Sequence, residues 1–67
     1  MRPEMQVAAD FMAHKGYPDA EPVDYDKLDG QPCWYLVYEL PEGTLELEVS
    51  WDGGEWDTRV TTFRLAE

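Results

Sequence analysis

Apolar residues recur at helical spacing only once, near the start of the chain. Val7, Ala8, Phe11 and Met12 fall at intervals of three and four, the stripe of an amphipathic helix. Its expected span is about Pro3 to Lys15. Pro3 suits the first helical position, where its missing N–H costs nothing, and Glu4 meets the positive end of the helix dipole. His14 and Lys15 lie at the negative end, Gly16 supplies a left-handed cap, and Pro18 prevents continuation. Three turns do not hold in isolation, so this helix needs a surface to dock on.

From Val23 onward the pattern changes to alternation, interrupted by turn residues. Asp29-Gly30 is a two-residue hairpin signal. A turn there pairs Tyr25 with Trp34 and Val23 with Leu36. Pro41-Glu42-Gly43-Thr44 reads as a four-residue turn, pairing Leu40 with Leu45, Tyr38 with Leu47, Leu36 with Val49 and Trp34 with Trp51. Both hairpins send Trp34, Leu36, Tyr38 and Leu40 to one face. A one-residue slip in either would set the apolar positions of the next strand on the wrong side. This agreement predicts a meander.

The fourth strand is expected over roughly Glu55 to Leu65. A Gly53-Gly54 loop pairs Trp51 with Trp56 and Leu47 with Val60. The apolar parity then switches, from Trp56 and Val60 to Phe63 and Leu65, which a bulge or an end leaving the sheet would explain. The predicted fold class is α+β: one N-terminal helix packed on a four-stranded antiparallel β-meander, in the order α-β-β-β-β. The helix is expected to cover the tryptophan-rich face. The whole of residues 1–67 reads as a single small acidic domain.

The opposite face should carry Asp24, Asp26, Cys33, Tyr35, Val37, Glu39, Glu46, Glu48, Arg59 and Thr61. Thr44, Glu46, Glu48 and Ser50 form a polar row, as on a solvated face. The predicted register sets Glu39 opposite Glu46, a like-charge pair, and Glu48 opposite Arg59. Tyr35 and Val37 sit among these acids. That arrangement is either an ordinary surface with a few apolar residues showing or an apolar centre with an acidic rim suited to a partner.

Composition sharpens the choice of partner. Fifteen Asp and Glu stand against five Lys and Arg, a net charge of −10. Such a field opposes nucleic acid and anionic membranes, since phosphate binding requires cationic side chains, and favours basic partners. The hydrophobic fraction of 43% is too large for a disordered acidic tail. No apolar leader precedes the helix, and the one cysteine, Cys33, cannot form an internal disulfide. A cytoplasmic location is therefore expected. A chain this short has little core, so its three tryptophans or a dimer must supplement it.

Catalytic chemistry finds little support. His14 falls in the last helical turn, where an imidazolium favours the dipole. Cys33 has no cationic neighbour in the pattern to lower its pKa. Asp24 to Gly30 resembles a calcium loop at its start, but Leu28 and Asp29 occupy the fifth and sixth positions, where a ligand and a glycine are required. Glycine-rich phosphate motifs are absent. No enzyme activity, cofactor or metal is expected.

A helix ending in Lys15-Gly16-Tyr17-Pro18, then Trp34-Tyr35-Leu36-Val37-Tyr38, a turn, and Leu45 to Asp52 resembles the PepSY module over about residues 7 to 57. That resemblance implies an exported or membrane-linked setting, at odds with the N-terminus. The residues themselves lead to a non-enzymatic module that engages a basic protein surface through Asp24, Asp26, Tyr35, Val37, Glu39, Glu46 and Glu48. A sharper form is an inhibitor that mimics nucleic acid, as small anti-host phage proteins do, with rows such as Glu46 and Glu48 standing in for phosphates. The alternative is a homodimer or assembly subunit using the outer face or an edge strand.

Overall fold

The expected helix forms as α1 (Pro3–His14), one residue shorter than its sequence signals. Its C-terminus closes with two backbone bonds, Gly16 N–H to Ala13 C=O at 3.1 Å and Tyr17 N–H to Met12 C=O at 2.8 Å. Gly16 holds φ at +99° between them, which a side chain would resist. The computed structural model describes residues 2–66. After α1 come β1 (Asp24–Lys27), β2 (Cys33–Leu40), β3 (Gly43–Trp51) and β4 (Trp56–Leu65). They form one antiparallel sheet in the order β1-β2-β3-β4, with the helix packed on one face.

The faces agree with expectation, but the first two hairpins are each displaced by two residues. Tyr25 lies opposite Leu36 and Lys27 opposite Trp34. The two-residue turn at Asp29-Gly30 would have placed Pro32 in the ladder opposite Lys27, and proline has no N–H to give there. The chain instead closes with Leu28 N–H to Cys33 C=O at 3.0 Å, leaving Asp29 to Pro32 as the loop.

In the second hairpin Leu40 lies opposite Gly43, so Pro41-Glu42 alone makes the turn. Gly43 belongs to the ladder rather than to the turn. A Cβ there would collide with the Arg64 carbonyl oxygen, so only glycine admits the close approach of β4. Tyr38 therefore faces Leu45, Leu36 faces Leu47 and Trp34 faces Val49. Because side chains alternate with period two, a two-residue displacement leaves every residue on its expected face.

The last hairpin forms in the expected register: Trp51 faces Trp56, Glu48 faces Arg59 and Leu47 faces Val60. The parity switch is a bulge. Glu46 faces Thr62, so Thr61 is the extra residue, and its hydroxyl donates to the Glu46 carbonyl at 3.2 Å. Thr62, rather than Thr61, takes the outer position beside Glu46.

The core is Ala8 and Met12 from α1 with Leu36, Tyr38, Leu45, Leu47 and Val49 from the sheet. Full burial of each large aliphatic side chain contributes roughly 1.5–3 kcal/mol. The indoles are not its centre. Trp34 and Trp56 are half-buried, Trp51 is 37% exposed, and the three meet at one end of the face. Their ring centroids lie 5.6 Å (Trp34–Trp56) and 5.0 Å (Trp51–Trp56) apart. The helix covers the aliphatic middle of the tryptophan face, and the tryptophans wall off its end.

Candidate interaction face

The face away from α1 is built by cross-strand rows. One row runs Asp26, Tyr35, Glu48, Arg59 across all four strands; the next runs Asp24, Val37, Glu46, Thr62. Tyr35 and Val37 on β2 are thus each flanked by a carboxylate on either side. Glu39, Thr44 and Arg64 form a third row, and Cys33, Ser50 and Asp57 a fourth. Neighbouring strands lie roughly 4.8 Å apart and same-face residues roughly 6.8 Å apart, so the acids occupy a regular grid.

The structure brings all seven expected residues onto this face, with unequal access. Asp24, Asp26 and Glu39 are exposed, and Tyr35 is 36% exposed. Val37, Glu46 and Glu48 are half-buried, since side chains from the flanking strands shield the middle of the sheet. The row Thr44, Glu46, Glu48 and Ser50 is therefore less open than its polarity predicts. The expected repulsion between Glu39 and Glu46 does not arise. Glu39 lies opposite Thr44, whose hydroxyl donates to its carboxylate at 2.9 Å.

Glu48 is the hub. Its Oε1 lies 3.1 Å from Arg59 Nη2, and its Oε2 accepts from the Cys33 thiol at 3.5 Å. The carboxylate also holds the Tyr35 phenol protonated. Hydrogen bonding to Glu48 and then to Cys33 pushes its pKa up to about 12. Burial, followed by the same carboxylate, pushes the Cys33 thiol up as well, so it is a poor nucleophile. Six carboxylates on this face (Asp24, Asp26, Glu39, Glu46, Glu48, Asp57) outnumber its two arginines, both of which lie on β4.

One buried acid escaped the sequence reading. Glu4 is 5% exposed, and its Oε1 accepts from the Tyr25 hydroxyl at 2.8 Å, tying α1 to β1. The signal was present: Glu4, Ala8 and Met12 share a four-residue spacing and a single buried stripe. Burial, then the hydrogen bond to Glu4, raises the Tyr25 pKa. His14 Nδ1 lies 2.8 Å from the Asp10 carbonyl and plays its part within the helix.

A groove lies apart from both the acidic grid and the tryptophans. It is an open space of about 530 Å³ between α1 and the Ala20–Pro22 segment, with Met5 and Ala9 on one wall and Tyr38 beneath. Carboxylate oxygens of Asp52, Glu55 and Asp57 come within 4.8 Å of one another at the β3–β4 turn. Asp52 Oδ1 there already accepts the Gly54 and Glu55 N–H groups at 3.0 and 2.9 Å, which hold its pKa below the usual carboxylate range. No helix among the described residues is long and apolar enough to cross a membrane.

No protein family, curated protein or solved structure matches the chain, so the resemblance to PepSY gains no support.

Proposed function

We propose that the protein is a non-enzymatic binding module whose acidic sheet face engages a basic surface of another protein. The carrying observation is the pair of flanked rows, Asp26–Tyr35–Glu48 and Asp24–Val37–Glu46. An aromatic and an aliphatic side chain stand between carboxylates, the anatomy of an apolar centre with a charged rim. Tyr35 is the anchor: a rigid ring held as a neutral phenol, able to stack on a guanidinium while the adjacent acids pair with it. Glu39, Asp24 and Asp26 carry the free charge that steers approach.

The regular grid of carboxylates supports the sharper form, in which the partner is a nucleic-acid-binding protein and the face occupies its phosphate site. Direct binding of nucleic acid or of an anionic membrane is opposed by the net charge of −10. The buried free thiol of Cys33 suits a reducing, cytoplasmic setting.

Calorimetric titration with an oligo-arginine peptide tests the reading. The affinity should fall as salt rises, and Tyr35→Ala should weaken it by about ten-fold, as expected for an interface anchor. For the sharper form, a partner captured from the native host should be released from the protein by competing duplex DNA. Affinity indifferent to both salt and Tyr35→Ala would overturn the proposal.

A further inference from the structure

The strand β4 is an edge of the sheet and, at 10 residues, the longest in it. Its outer backbone edge faces no other strand among the described residues. Along its helix-side face Val60, Phe63 and Leu65 are 39%, 48% and 78% exposed, an unusual load of apolar surface for an edge. It is also the one strand without net negative charge, carrying Asp57, Arg59 and Arg64. The opposite edge, β1, spans four residues and displays Asp24 and Asp26.

The bulge gives β4 a further property. Before it, Trp56, Thr58 and Val60 face the helix side, opposite Trp51, Val49 and Leu47; after it, Phe63 and Leu65 do, opposite Leu45 and Gly43. The parity switch falls at the middle of the strand. Two copies of β4 laid antiparallel about a twofold axis between Val60 and Thr61 therefore match face to face on either side of that centre. Trp56 meets Leu65 of the other copy and Thr58 meets Phe63 on the helix side, while Asp57 meets Arg64 and Arg59 meets Thr62 on the outer side. Each pairing occurs twice, as an isologous interface requires.

An unbulged strand of this length could not be centred so, because an axis between two residues would set inward side chains against outward ones. Opposite charges and apolar pairs fall in register together, as cross-strand partners should.

We propose that β4 pairs with β4 of a second copy, joining the two sheets into one. The occupant of the edge is fixed by the charge pattern: Asp57 and Arg64 complement each other only across that twofold axis. Bulges commonly protect edges from indiscriminate pairing. Here the bulge rejects other registers and admits this one. The interface takes in the β4 edge and the β4 side chains on both faces, leaving Tyr35 and Val37 on β2 free, so it stands independently of the proposed partner face.

Sedimentation equilibrium of the full chain across concentration and salt tests the proposal. The expected species has twice the 7.8 kDa chain mass. Asp57→Arg and Arg64→Asp, both at exposed positions, should each weaken the dimer by about ten-fold, since each turns two attractive contacts into repulsive ones. Combining the two should restore it. Circular dichroism of each variant establishes that the fold is kept. A monomer at every concentration, a dimer unmoved by the single reversals, or one not restored by the double reversal would overturn the proposal. Loss of peptide binding at the outer face would leave it standing.

Discussion

Two tyrosines show how one residue type does different work in this molecule. Tyr25 donates to a buried carboxylate and ties the helix to the first strand. Tyr25→Phe removes that bond and leaves the buried Glu4 carboxylate only the Arg2 guanidinium, 4.0 Å away. A loss of about 1.5–3 kcal/mol in urea unfolding is expected, the range for hydrogen bonds to charged groups. Tyr35 instead lies on the outer face, where hydrogen bonding to Glu48 is the main cause that raises its pKa to about 12. Because the folded value lies above the unfolded one near 10, its contribution to stability is complete below about pH 10. That contribution is lost as pH rises toward 12. Ultraviolet titration should show one phenol ionising near 12, and Glu48→Gln should bring it back toward 10. A sequence gives no direct view of either bond. Glu4 is charged, and charged residues are mostly exposed, although its spacing from Ala8 and Met12 marked the buried stripe.

At the scale of the elements, periodicity was the informative signal and turn type the weak one. Alternation assigned every residue of β2 and β3 to its face, because the face depends only on parity. The two-residue displacements of the first two hairpins came from residues whose role is not local. Pro32 could not sit in a ladder, and Gly43 served a close backbone approach rather than a turn. The distinction is testable. Gly43→Ala, which meets the Arg64 carbonyl, should cost well over 2 kcal/mol, as a forced backbone shift in a packed site does. Gly16→Ala meets nothing within 4 Å and should cost about 1 kcal/mol, through its positive φ alone. The bulge was legible because Val60, Phe63 and Leu65 cannot share one face of a regular strand. Deleting Thr61 should restore regular alternation with Phe63 and Leu65 still on the helix side, so the urea midpoint should change little.

For the whole molecule, charge and the sheet divide the surface. Five of the six outer-face acids lie on β1, β2 and β3, while its two arginines stand on β4 beside Asp57. The net charge of −10 on 67 residues works against the compact state through self-repulsion. The urea midpoint should therefore rise with added salt, which screens that repulsion at close range. Composition revealed the sign of the field, but not its arrangement. The rows that set Tyr35 and Val37 between carboxylates depend on a register that only the assembled sheet fixes. The central claim is that this face, and no other, receives cationic groups. Amide chemical-shift mapping of the protein during titration with an oligo-arginine peptide tests it most directly. The account predicts that the shifts concentrate at Asp24, Asp26, Tyr35, Val37, Glu39 and Glu46 and collapse at high salt. Shifts spread evenly over all acidic residues, or centred on the tryptophan end of the sheet, would contradict it.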